Sequence, residues 1–369
     1  MIHFFSPTVF DADRELIYEL VRQAGETNRF ILKDHCRALE EEVCRRTGAR
    51  HAIAVSSGTT AVLVALKAAG VGPGDEVIVQ AYCCQPVASQ VIALGARPVF
   101  VDVDPRTLVM DPAGVERRIT ARTKAILPAH LFSCMVDMPA IRKIAHKHGL
   151  KVVEDACVQQ GAELAGEPAG CWGDLGTYSF FQAKVMGACG EGGMILTDDE
   201  ESARLCAMLR NHGQDGVNRF LHHWVGFNAR MDEIVAGYLC HRYNQLDDML
   251  ARRAQIAAYY TRRLAHLADR LVLPPEGGEG RCYYIYAVQT AERDALQAFL
   301  AERQIASHVY YPLILPDQQA FQTYADDRDE VPVSRRAARE NLALPVHPDL
   351  TDAEVARVAE AVEMFFAQA

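Results

Sequence analysis

The chain has 369 residues, 50% hydrophobic and 23% charged, with 48 acidic against 38 basic side chains and a formal charge of −10. That length suits a large domain plus a smaller one, and the composition excludes a disordered or fibrous chain. The acidic balance, with no long Lys/Arg run, excludes nucleic acid as an expected partner. Eleven scattered cysteines without C-x-x-C or other zinc spacing predict no metal site and read as reduced thiols, hence a cytoplasmic protein. The opening MIHFFSPTVFDADREL lacks a basic leader, and no 18-residue apolar run occurs, so neither export nor a membrane partner is expected.

In chain order, residues 13–48 read as helical. From 51 to about 210, short β-branched runs alternate with helical patterns, the mark of a mostly parallel sheet covered by helices. Strands are predicted over 51–55, 76–79, 98–103, 123–128, 151–154, 177–181 and 193–197. Helices are predicted over 59–69, 139–148 and 199–210. Residues 230–266 read as one or two long helices. A smaller α+β tail follows, with strands at 281–289 and 308–312 and helices at 293–304 and 352–367. The expected division is 1–245 and 246–369, with the N-terminal helices shared between the two units.

Three stretches carry chemistry. In VSSGTTAV (55–62) a strand runs through Ser-Ser-Gly-Thr-Thr straight into a helix, which gathers free N–H groups, hydroxyls and the positive end of the helix dipole. That is an anion site, or an ordinary helix cap. In KVVEDACVQQGA (151–162) a buried strand ends in two acids at the carboxyl edge, where open α/β sheets bind ligands. Strand alternation sends Glu154 and Asp155 to opposite faces, and ion pairing or helix capping is the alternative role for Asp155. In YSFFQAKVMGACGEGG (178–193) a lone lysine, Lys184, stands between an aromatic run and small residues. It is a structural lysine or a Schiff-base amine, whose neutral form apolar surroundings favour. Phosphate cradle, acid and lysine at one sheet edge are the three functions pyridoxal 5'-phosphate requires.

SSGTTAV, GVGPGDEVIV, GARPVFVDVDPRT, HGLKVVEDA, GDLGTYSFFQAK, GEGGMILT, RNHGQ, VGFNARMDEIVA and LALPVHPDLT follow one another in the order and spacing of a known family. From about Phe30 to its end the chain resembles the DegT/StrS sugar aminotransferases. The resemblance implies the α/β fold of type I PLP transferases, a large, mostly parallel seven-stranded sheet domain with a smaller C-terminal α+β domain. It implies that Lys184 forms the Schiff base and that Asp155 pairs with the pyridinium nitrogen. Thr59, Thr60 and Ser179 would hold the phosphate, with Gly58 in the same turn. Asn228 would reach the cofactor of a neighbouring subunit in a homodimer. Arg230 corresponds to a family arginine near the substrate, although an ion pair with Asp232 or Glu233 is equally compatible with the sequence. His308 is a further substrate candidate; His130, His222 and His223 are isolated histidines of the kind that are more often structural.

Three departures bear on the pocket. Where the family usually stacks an aromatic residue on the cofactor ring this chain has Cys84, so stacking is either lost or taken over by Tyr82. Val158 stands where the family has Gln, with Gln159 and Gln160 just beyond, and Gln80 replaces the usual proline. The implied reaction is transfer of an amino group from glutamate or glutamine to a nucleotide-linked keto-sugar or a keto-cyclitol. Two alternatives are a PLP-dependent elimination, for which a histidine in place of Lys184 is expected, and a non-catalytic PLP-binding regulator, which Cys84 and Val158 would suit.

Overall fold

A computed structural model describes residues 1–7, 10–218, 220–326 and 330–368. The elements run α1 (Arg14–Thr27), α2 (Asp34–Thr47), β1 (His51–Val55), α3 (Gly58–Ala68), β2 (Glu76–Gln80), α4 (Pro86–Ala93), β3 (Arg97–Val101), α5 (Pro112–Glu116), β4 (Thr123–Leu127), α6 (Met138–His148) and β5 (Lys151–Asp155). They continue with β6 (Glu163–Leu164), β7 (Glu167–Pro168), β8 (Leu175–Ser179), β9 (Gly193–Thr197), α7 (Glu200–Leu209), α8 (Glu233–Tyr243) and α9 (Leu246–Leu264). Last come β10 (Tyr286–Gln289), α10 (Arg293–Glu302), α11 (Pro332–Glu340), β11 (Asn341–Leu344) and α12 (Asp352–Gln368).

Among the described residues seven strands form one sheet in the order β1-β9-β8-β5-β4-β2-β3, parallel except for β9, which is antiparallel to both its neighbours. Helices cover the sheet, so β2 (EVIVQ) and β8 (LGTYS) are buried along their whole length. The predicted strands of this sheet are all present, shifted by at most two residues at an end. Two buried polar side chains of β2 are paired. Glu76 accepts from Arg122 and Thr120, both at 2.6 Å, and Gln80 accepts from the Met110 and Ala129 N–H groups at 3.2 and 3.3 Å. Gln80 thus ties β2 to the end of β4, a role the proline it replaces has no N–H or amide to perform.

A second core lies under β10, β11, α9, α10 and α12, built from residues such as Tyr260, Val288, Leu300, Leu342 and Val358. Ile2 belongs to it: its N–H donates to Gln304 O at 2.7 Å, and the Ala306 N–H donates to Ile2 O at 2.9 Å. Two expected strands are corrected here. Residues 281–289 are extended only over Tyr286–Gln289, because Tyr283 takes φ +48° and breaks the pleat. Residues 308–312 form no strand; His308 makes a single bridge to Ala343. The long helical run at 230–266 is two helices, and α4, α5, α11, β6, β7 and β11 are additions to the predicted elements. Among the described residues no helix is long and apolar enough to cross a membrane.

Candidate active site

Because β1, β5 and β8 run in the same direction, they deliver their last residues to one edge of the sheet, where antiparallel β9 begins. Gly193 pairs with both Val55 and Ser179, so the turn after β1 and the end of β8 lie on either side of it. There is no room for a side chain: a Cβ on Gly193 would lie 2.3 Å from Ser57 O. Gly193→Ala is therefore expected to displace the entry to α3 and to cost about 1–3 kcal/mol, measured as a lower denaturant midpoint at unchanged slope.

The turn after β1 is both cap and cradle. Ser57 caps α3: its Oγ accepts from the Thr60 N–H at 3.1 Å, while Thr60 Oγ1 accepts from the Ser57 N–H at 3.0 Å. The Thr60 hydroxyl is thereby absorbed into the helix start, so of the two predicted threonines only Thr59 is exposed, with no side-chain bond among the described residues. Gly58 lies against β8 and the loop after β5; a Cβ there would meet Ser179 Cβ at 2.5 Å and Cys157 Sγ at 3.1 Å. Gly58, Thr59 and Ser179 thus surround the N-terminus of α3.

The two acids of β5 part as strand alternation predicts. Glu154 is fully buried and accepts from Gly170, Trp172 and Gly173 N–H groups (2.5, 2.9 and 3.2 Å) and from His130 Nε2 at 2.6 Å. Val136 N–H donates to His130 Nδ1, so the proton on Nε2 points at Glu154 and His130 is structural. Asp155 faces the cradle side. Its Oδ1 accepts from the Cys157 N–H at 3.0 Å, and burial followed by the Asp155 charge pushes the Cys157 thiol well up, which removes it as a nucleophile.

Lys184 sits on a loop closed by two backbone bonds, Lys184 N–H to Phe181 O and Ala188 N–H to Phe180 O, both 2.8 Å. Gly187 makes the turn possible, since a Cβ there would lie 2.2 Å from Gln182 O. Val185, Met186 and Ala188 are buried and anchor the loop, whereas Lys184 is half-buried with its Nζ 5.0 Å from the centre of the Tyr284 ring. Tyr284 belongs to the main core, with its ring turned toward the lysine. The turn at Tyr283 resets the alternation, and no sequence signal marks that turn.

Several expectations are corrected. Tyr82 is 0% exposed, stacked on Phe132 with centroids 5.0 Å apart, and its hydroxyl donates to the nearby Tyr310 O, with Ala337 O a more distant alternative at 3.3 Å, and accepts from Asn341; it has no free face for a cofactor ring. Cys84 is half-buried. Among the described residues Arg230 pairs with neither Asp232 nor Glu233. Glu233 accepts the N–H groups of Lys33, His35 and Cys36 at the start of α2, and Arg230 donates to Asn211 Oδ1 at 3.3 Å. His308 packs its ring 4.4 Å from that of Phe4, and burial lowers its pKa. It is part of an aromatic cluster rather than a wall of the cavity beside Lys184. Gln160 Nε2 donates to Ser179 O at 2.7 Å and Gln159 Oε1 accepts from the Cys282 N–H at 3.2 Å, so both glutamines brace the site from behind. Asn228 is exposed and bridges Asn211 by backbone alone.

Comparison with known proteins agrees with this arrangement. The profile of the DegT/DnrJ/EryC1/StrS aminotransferase family matches residues 11–363. The chain is 41% identical over 352 residues to a pleiotropic regulatory protein of Geobacillus stearothermophilus, covering 95% of this chain and 94% of that one. It is 40% identical over 333 residues to a UDP-N-acetyl-3-dehydro-alpha-D-glucosamine 3-aminotransferase of Acidithiobacillus ferrooxidans, covering 90% and 89%. Among solved structures, DesV of S. venezuelae in complex with a ketimine intermediate superposes with a TM-score of 0.94 at 33% identity, over 99% of this chain and 98% of that one. A match over nearly the whole length, on a sheet whose carboxyl edge gathers Gly58, Asp155, Ser179 and Lys184, means that this chain belongs to the DegT/DnrJ/EryC1/StrS aminotransferase family.

Proposed function

We propose that the chain transfers an amino group from an amino acid to the keto group of a nucleotide-linked sugar with pyridoxal 5'-phosphate as cofactor. The observation that carries this reading is the meeting of a half-buried lysine, a buried aspartate and a helix N-terminus at one sheet edge, and the 3-aminotransferase relative supplies the class of acceptor. The donor set fits the cofactor. The cradle that a Cβ at Gly58 would fill, the N–H groups opening α3, and the Thr59 and Ser179 hydroxyls suit a phosphate. Thr60 contributes by holding that helix start in place.

When bound, the cofactor supplies an aldehyde carbon and a ring that accepts electron density. The residues do the rest. Lys184 Nζ takes the proton from the donor's α-carbon and returns it, and its half-exposed position lets it move between these tasks. The Asp155 carboxylate, oriented by the Cys157 N–H, would hold a proton on the cofactor's ring nitrogen. With Lys184 present in place of a histidine, elimination is not favoured, and the intact pair Lys184 and Asp155 disfavours a purely regulatory role. The test is spectroscopic: an amino donor should bleach the absorbance of the bound cofactor and a nucleotide-linked keto-sugar restore it. A spectrum that no amino acid alters refutes the reading.

The active unit in this proposal is a homodimer in which Asn228 reaches the phosphate of the neighbour's cofactor, with Arg230 on the substrate side. Supporting it, the segment between Asn211 and Asn228 exposes Val217, Trp224 and Val225 at 91%, 52% and 82%. Asn228→Ala is expected to weaken cofactor affinity by about tenfold through a lost charge-assisted hydrogen bond. Mixing it with Lys184→Ala should regain activity, because one site of each mixed dimer is then intact. Equilibrium dialysis and reconstitution assays measure both, and mixing without gain argues that Asn228 serves its own subunit. The two units, 1–245 and 246–369, would meet in the break between α8 and α9.

A further inference from the structure

A cavity of about 590 Å³ opens beside Lys184, between the lysine loop, the N-terminal segment, α8, α9 and the turn after β11. Its wall holds two buried guanidinium groups, Arg242 at 7% exposure and Arg253 at 6%. Neither has a carboxylate partner among the described residues. Arg242 donates to Gln245 Oε1 at 2.7 Å and to the weak acceptor Met249 Sδ at 3.0 Å; Arg253 Nη1 faces the carbonyls of Tyr283, Tyr284 and Val346 at 3.1–3.4 Å. The Nε–H of each is buried with no partner among the described residues. Two cations taken out of water without a counter-charge are costly to hold, and burial accordingly lowers the Arg253 pKa.

The one buried acid on the same wall, Asp13, is engaged by the Tyr238 hydroxyl at 2.9 Å and by His241 at 3.2 Å. The cavity's other carboxylates, Asp11, Asp248 and Asp349, are exposed at its mouth. His347 Nε2 donates to His3 O at 3.2 Å, which leaves its buried Nδ1 as an acceptor without a partner. Unpaired cations in the wall, an unused acceptor for an N–H, and acids at the rim match a zwitterion. They do not match a phosphate dianion, which the rim would repel and which brings no N–H.

We propose that this cavity is the amino-donor site, in which Arg242 and Arg253 receive a carboxylate of an acidic amino acid whose amine is directed toward Lys184. The inference rests on the transamination reading above but concerns binding, so the two are separable. The test is titration calorimetry of the cofactor-loaded protein with glutarate, beside the neutral glutaramide and inorganic phosphate at matched ionic strength. Glutarate is expected to bind, with glutaramide at least about tenfold weaker and Arg242→Met lowering glutarate affinity roughly tenfold to a hundredfold. Arg242→Lys keeps a cation and should retain most of the affinity; since Arg253 also braces three carbonyls, Arg253→Lys is its conservative partner. In turnover, Arg242→Met should raise the KM for glutamate with little change in kcat. If the KM for alanine rises in parallel, the α-carboxylate is the one held; if only glutamate is affected, the side-chain carboxylate is.

No heat with glutarate, tighter binding of phosphate, or glutarate affinity unchanged in Arg242→Met would overturn the proposal. Glutarate binding in a protein that transfers no amino group would instead sink the transamination reading and leave this site standing.

Discussion

Lys184→Ala is expected to lower kcat by at least about a thousandfold, the range associated with losing a positioned proton-transfer group that is also the covalent anchor. The protein should remain folded. Lys184 makes no side-chain hydrogen bond or ion pair among the described residues beyond its approach to the Tyr284 ring, and its loop is held by Val185, Met186, Ala188 and backbone bonds. A melting temperature within a few degrees of wild type therefore accompanies the loss. Borohydride reduction followed by peptide mass mapping checks the covalent part: the wild-type adduct should fall on the peptide containing Lys184 and vanish in the variant. An adduct on another lysine, or turnover within tenfold of wild type, would remove the foundation of the mechanism.

Glu154→Ala is expected to be the most damaging substitution for stability near the site, at about 3–5 kcal/mol, because it strands three backbone N–H groups and the His130 ring in a dry interior. Its neighbour behaves differently. Asp155→Asn keeps the shape and an acceptor for the Cys157 N–H, so stability should change by only about 1 kcal/mol while transfer activity falls by orders of magnitude through loss of the negative charge. Denaturant titration of both variants beside a donor-dependent absorbance assay measures the contrast. Should Asp155→Asn unfold as readily as Glu154→Ala, Asp155 is a structural acid and its assignment to the cofactor fails.

These two adjacent acids also mark how far reading along the chain reaches. Alternation in β5 is a local property, so the sequence shows that Glu154 and Asp155 diverge; that Glu154 finds three N–H groups in the 170–173 turn and a histidine from the end of β4 depends on pairing across the sheet. Similarly, SSGTTAV announces a capped helix start, but the reciprocal bonds of Ser57 and Thr60 decide which threonine keeps a free hydroxyl. Tyr82 lies next to Cys83 and Cys84 in a stretch that suggests an accessible ring, yet contacts with Phe132 and Asn341, which are far along the chain, bury it.

What the sequence by itself determined was the sheet and which residues stand at the ends of its strands, because periodicity, helix caps and glycine turns act over a few residues and leave their pattern in the order of side chains. Only the tertiary structure decided which groups share one space. Tyr284 comes under Lys184 because a left-handed residue at Tyr283 resets the strand, and Arg242 and Arg253 come to one cavity from two helices. Such meetings depend on how elements pack over long separations, and no local pattern encodes them.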